Sequence, residues 1–116
     1  MAVQSAPRHA VQLWSRSGAQ AQALRATRRN QRYLPDIALG PEIEIADDLA
    51  GALAHAAQGL VVIATPMSGL RALLAAQQGA ARLLWLCKGF EAGSGRLGHE
   101  IAAELRPHAP GCKFLL

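Results

Sequence analysis

Acid is missing from the start of this chain: residues 1–35 hold six arginines and no aspartate or glutamate. Aromatic residues are also few, at 4%, which argues against a surface that stacks bases. No apolar run reaches the eighteen or so residues that span a bilayer. The N-terminus lacks the apolar core and small-residue cleavage site of a secretion signal, so a cytoplasmic address is expected. Two cysteines, Cys87 and Cys112, do not have metal-ligand spacing, and nothing argues for a disulfide between them. His9, His55, His99 and His108 are scattered, so no metal site is expected.

What is present is enough for one domain. The chain has 116 residues, 51% of them apolar, which suffices for a core. Alanine and leucine predominate, favouring helices joined to a few aliphatic strands. The net charge is +4, concentrated in Arg8, Arg16, Arg25, Arg28, Arg29 and Arg32. A basic patch of this kind can attract nucleic acid or another phosphate. A solvated helix face is the plainer account of Arg25, Arg28 and Arg29, whereas Arg16 is set apart by its position.

The patterning alternates strand and helix. "HAVQLW" (His9 to Trp14) predicts a strand and "SGAQAQALRATRRN" (Ser17 to Asn30) a helix capped by Ser17. "QRYLPDIALGPE", with two prolines and a glycine, predicts a loop. "IEIA" predicts a short strand, and "DDLAGALAHAA" a helix with acids in its first turn. "LVVIA" is the continuous β-branched run of a strand covered on both faces. A helix starting at Thr65-Pro66, the strand "RLLWLC" and the helix "GRLGHEIAAELR" complete the pattern, with Pro66 expected at the first helical position.

Alternation of this kind predicts an α/β fold: a parallel sheet with helices on both faces in a single domain. Ligands of such sheets bind beyond the carboxyl ends of the strands. Three stretches therefore stand out: Ser15–Ser17, Thr65–Met67 and Lys88-Gly89. A lysine that ends an apolar strand stands on the functional edge of the sheet. The competing reading is an ion pair with Glu91, the acid nearest to it in sequence.

"GSGRLG" (Gly93, Gly95, Gly98) matches a dinucleotide-binding G-x-G-x-x-G letter for letter, but its context fails. The first glycine should follow the strand directly, so that a helix N-terminus meets the pyrophosphate. Here Lys88 to Ala92 intervene, and no further strand–helix unit fits after it. A turn leading into a helix is the better account. "HEIAA" likewise starts like a zinc-binding H-E-x-x-H, but Ala103 stands where the second histidine belongs.

Three segments in order, "VQLWSR", "NQRYLPDIAL" and "LLWLCKGFEAGSGRLGHEI", resemble the N-terminal domain of bacterial NAD(P)-dependent glycerol-3-phosphate dehydrogenase. "DDLAGAL" and "LVVIATP" lie between them where that family has a helix start and a strand. The resemblance covers roughly residues 8–110. It implies a partial Rossmann nucleotide-binding fold and hydride transfer between NADPH or NADH and dihydroxyacetone phosphate, forming sn-glycerol 3-phosphate for phospholipids. By position, Arg16 and Ser17 match residues that meet the adenosine ribose and its 2′-phosphate. Tyr33 matches a cofactor-contacting position, and Lys88 the lysine that touches both nicotinamide and substrate.

The departures from the family carry further expectations. Residues 1–8 look like the last turns of the family's first helix, residues 9–110 like a partial NAD(P)-binding domain, and "GCKFLL" (111–116) like an unrelated tail. The family's first strand and glycine-rich turn, and the helical domain that carries its catalytic lysine, have no counterpart in the sequence. The chain is therefore expected to be a fragment with no catalytic residue of its own, inactive alone and open to self-association at bare strand edges. Two other readings remain at this stage: a small basic nucleic-acid-binding module, and a remnant without ligand.

Overall fold

The computed structural model describes residues 1–107. The expectations for His108, Cys112 and the 111–116 tail lie outside them. Two compact units emerge, the first Met1–His55 and the second from Ala56 onward.

The first unit opens with a single helical turn, α1 (Ala2–Ser5), and then the strand β1 (Val11–Leu13). The helix α2 (Gly18–Thr27) starts where expected, because the Ser17 hydroxyl accepts the Gln20 N–H at 3.3 Å. It ends three residues before Asn30. Arg28 turns left-handed at φ 53°, and its N–H closes onto Leu24 O at 2.9 Å. That conformation is uncommon for a residue with a side chain. Here the side chain itself ties it down: the Arg28 guanidinium donates to the carbonyls of Gly40 and Ile43.

The loop expected over residues 31–42 is instead largely a hairpin. β2 (Arg29–Asn30) pairs antiparallel with β3 (Leu34–Ala38). The turn closes when the Tyr33 N–H meets both the carbonyl and the side-chain oxygen of Asn30, each at 3.3 Å. Proline is compatible with this strand because the ladder shifts register. Arg29 faces Ala38 and Asn30 faces Leu34, so Pro35 falls in the bulge, where no donor is required.

β4 (Ile43–Ile45) runs parallel to β1, with Val11 opposite Ile43 and Leu13 opposite Ile45. Ile43 is 1% exposed and forms the small core of this unit with Ala21, Leu24 and Ala46. α3 (Leu49–His55) has its acid at the cap and not in the first turn: Asp48 Oδ1 accepts the Gly51 N–H at 2.6 Å.

In the second unit β5 (Leu60–Ile63) and β6 (Arg82–Trp85) pair in parallel, Ile63 opposite Trp85. α4 (Met67–Ala76) and α5 (Gly98–Leu105) pack with them around Ile63, Leu70, Leu74, Ile101 and Ala102. Within β5, Ile63 is buried and Val61 and Val62 are both half-buried. Val61 and Ile63 turn toward this core, while Leu60 on the alternate side is 51% exposed. Pro66 sits at the N-cap of α4 and not at its first helical position. α5 opens under Trp85, where a Cβ on Gly98 would stand 2.6 Å from the indole nitrogen.

The parallel α/β pairing is present in β1–β4 and in β5–β6, and the antiparallel hairpin is added to it. Among the described residues β1 and β5 each have a single partner strand.

Candidate functional site

Both parallel pairs place the singled-out residues at carboxyl ends of strands. In the first unit the chain leaves β1 through Ser15, Arg16 and Ser17. Ser15 Oγ donates to Gln20 Oε1 at 3.0 Å, which ties the turn to the first turn of α2. Ser17 caps that helix, and Arg16 between them is exposed. An exposed guanidinium at the positive end of a ten-residue helix makes a favourable place for an anion.

Tyr33 stands at the tip of the hairpin, 63% exposed, with the Arg32 guanidinium 5.2 Å from its ring centre. A concave pocket of about 310 Å³ brings Ser17 together with Arg29, Asn30 and Arg32, one residue short of Tyr33. Arg16 does not line it.

The arginines of the basic patch bond to separate partners. Arg25 donates to Asp47 at 2.6 Å and to the carbonyls of Ile45 and Ala46. Arg28 holds two carbonyls, and Arg29 donates to Pro35 O at 2.9 Å. Arg25 and Arg29 remain exposed while bonding to their own chain, and Arg28 is half-buried.

In the second unit Thr65–Met67 and Lys88-Gly89 follow neighbouring parallel strands. The Thr65 hydroxyl and the half-buried, free Cys87 thiol lie 3.9 Å apart, so the two turns adjoin. Lys88 is exposed. Gly89 follows at φ 92°, a region a side chain would strain, and the chain bends there.

The Lys88–Glu91 ion pair does not form. Glu91 is held instead by Arg71, whose Nε and Nη2 donate to its two carboxylate oxygens at 2.7 and 2.9 Å. The Ser94 hydroxyl also donates to Glu91. Arg71 further donates to Glu104 at 3.1 Å, and Arg96 pairs with the same carboxylate. The bonds from Arg71 and Ser94 hold the Glu91 carboxyl down at about 2. Arg71 chiefly holds Glu104 below its ordinary range as well. Arg71 escaped sequence reasoning. Its one signal was a lone arginine in the apolar helix "MSGLRALLAA", which needs an acid from elsewhere in the chain.

The "GSGRLG" stretch forms a hydrogen-bonded turn that opens into α5. The Glu91 N–H bonds to Arg96 O at 2.8 Å, and the Gly95 N–H to Glu91 O at 2.9 Å. Gly93 and Gly95 take the positive φ values that this turn demands. Among the described residues no group of three His, Cys, Asp or Glu is placed to hold a metal ion. No described helix is long and apolar enough to cross a membrane.

The family model described as NAD-dependent glycerol-3-phosphate dehydrogenase N-terminus matches residues 2–116. The chain belongs to this dehydrogenase family. It is 55% identical over 113 residues to a glycerol-3-phosphate dehydrogenase (NAD(P)+) of Methylibium petroleiphilum, covering 94% of this chain and 34% of that protein. A protein of the same name from Leptothrix cholodnii is 48% identical over 118 residues, covering 92% of this chain and 35% of that protein. The crystal structure of glycerol-3-phosphate dehydrogenase from Coxiella burnetii superposes with a TM-score of 0.76 at 25% identity, over 89% of this chain and 32% of that one. The chain thus spans about a third of the length of the curated dehydrogenases it matches.

Proposed function

We propose that this chain supplies part of the dinucleotide site of an oxidoreductase that interconverts dihydroxyacetone phosphate and sn-glycerol 3-phosphate with NADP(H) or NAD(H). The observation that carries the reading is Lys88: an exposed lysine at the carboxyl end of a parallel strand, free of the acid nearest to it in sequence, in a chain that the dehydrogenase family model matches from residue 2 onward.

The residues present suit such a cofactor. Arg16 offers an uncommitted guanidinium to an adenosine phosphate, and its planar fork favours a 2′-phosphate. Ser17 and the exposed ring of Tyr33 offer a hydroxyl and an aromatic face to the ribose and adenine. Lys88 supplies positive charge for a substrate oxygen or for the nicotinamide end, acting by position and not as a proton carrier. The cofactor, when bound, supplies the hydride. No acid follows β1 before Asp36, which favours NADP over NAD. The same reading places the enzyme in the cytoplasm, in the supply of glycerol phosphate for phospholipids, and takes the chain as a fragment without turnover by itself.

The test is a full-length dehydrogenase in which this segment replaces the matching residues of the Methylibium petroleiphilum relative. Lys88→Met should lower kcat/KM by roughly two to three orders of magnitude, as losing one fixed donor to a developing charge does. Activity within a few-fold of the parent would refute the role.

A further inference from the structure

We infer that Arg71, which lies on α4 away from the strand ends, is the positioning residue for Lys88. The inference rests on the reading of Lys88 given above.

The chain around Lys88 is fixed at two points with little between them. On one side the β5–β6 ladder runs out at the bond from Leu86 N–H to Ile63 O, 2.9 Å, and Cys87, immediately before Lys88, packs against the core with its thiol 3.9 Å from the Thr65 hydroxyl. On the other side lies Glu91. Between them Gly89 has no atoms within contact range of an added Cβ, and Phe90 is 68% exposed. No packing holds these residues, so the course of the backbone after Lys88 is set by where Glu91 is held.

Glu91 is held by Arg71. The two bonds form a fork-to-fork pair, which constrains orientation as well as distance. The Glu91 side chain is only 15% exposed, so solvent competes little for it. Through its backbone Glu91 also closes the turn as far as Arg96. Arg71 in turn stands on a helix anchored by Leu70 and Leu74, both 0% exposed. Its remaining donors reach Glu104 on α5, which Arg96 also grips. The turn after Lys88 is therefore fastened to two core helices through one guanidinium. The same guanidinium occupies the acid that would otherwise be free to pair with Lys88 three residues away.

The experiment is a double-mutant cycle in the full-length chimeric dehydrogenase described above, reading kcat and KM for dihydroxyacetone phosphate reduction. Arg71→Met should lower kcat/KM roughly tenfold to a hundredfold, the scale of a displacement of about 1 Å at a reacting group. In a Lys88→Met background the same change should cost less than about twofold, because nothing is left to position. Arg71→Lys keeps the charge but not the fork and should restore only part of the loss. Should Arg71→Met fail to fold, Glu91→Gln breaks the same pair at nearly constant size and should show the same coupling to Lys88.

Equal losses with and without Lys88 would reduce Arg71 to a stabilising residue and overturn the inference. So would Arg71→Met and Glu91→Gln enzymes within about twofold of the parent. If those two stay active while Lys88→Met does not, only the positioning role falls. If Lys88→Met itself is active, the reading of Lys88 falls and the positioning role with it.

Discussion

Arg71 and Glu91 meet through two hydrogen bonds of 2.7 and 2.9 Å, with Arg71 on a helix and Glu91 in a glycine-rich turn twenty residues further along the chain. The pair joins α4 to a segment that has no ladder or helix of its own, and its ionisation is therefore written into the stability of the second unit.

The direction of that dependence follows from Glu91. Its folded pKa of about 2 lies below the ordinary value of 4.5. A depressed carboxylate contributes stability that is complete above the unfolded value and is lost as pH falls toward the folded one. Thermal melting of the chain should therefore decline between pH 4.5 and about 2. Glu91→Gln should flatten the decline in that window, and identical pH profiles for the two chains would contradict the assignment.

Arg16→Ala, in the full-length chimera, should raise KM for NADPH more than KM for NADH. The guanidinium is exposed and uncommitted, so its loss removes a partner for phosphate without disturbing α2. Steady-state kinetics with both cofactors decide it, and equal effects would remove Arg16 from the 2′-phosphate.

Ser17→Ala removes the cap on the Gln20 N–H and leaves that donor to water. About 1 kcal/mol of stability should be lost, measured by urea unfolding. Ser17→Asp should keep most of it, since a carboxylate caps as well and suits the helix N-terminus.

Gly98→Ala should destabilise the second unit by roughly 1–3 kcal/mol, the usual cost of overpacking. The added methyl would meet the Trp85 indole nitrogen at 2.6 Å and Leu70 at 3.2 Å, and both neighbours belong to the packed core. A melting temperature equal to that of the parent would show that Trp85 moves aside freely.

The 116-residue chain by itself should bind NADPH weakly and associate with concentration. β1 and β5 each have one partner strand among the described residues, and Leu60 is half exposed on β5. Open apolar edges recruit other copies, and a lysine on such a strand opposes this. Sedimentation should show association that Leu60→Lys reduces, and calorimetric titration should give no micromolar dissociation constant for NADPH.

The parts of the fold legible in the sequence were those with a local cause. Ser17 capped its helix, and the spacing of Lys88 through Ala92 exposed the glycine motif as a turn. What escaped depended on distant partners. Pro35 argued for a loop, and only a register shift against Arg29 and Asn30 made it compatible with a strand. Arg28 looked like one more basic residue near a helix end, yet the carbonyls of Gly40 and Ile43 hold it. Glu91 was the acid nearest to Lys88 in sequence, but an arginine twenty residues earlier reaches it first. Ion pairs between separate elements leave no periodic trace.

The parallel register of β5 and β6 makes spacing matter as much as residue identity. Side chains on a strand alternate sides, so a single residue inserted within Arg82–Trp85 would turn Trp85 away from Gly98. The strand register sets where the chain leaves the ladder toward Lys88, and lengthening the strand by one residue should be as damaging as removing the lysine. The hairpin at 29–38 already absorbs unpaired residues in its bulge, and there an insertion should pass with little effect.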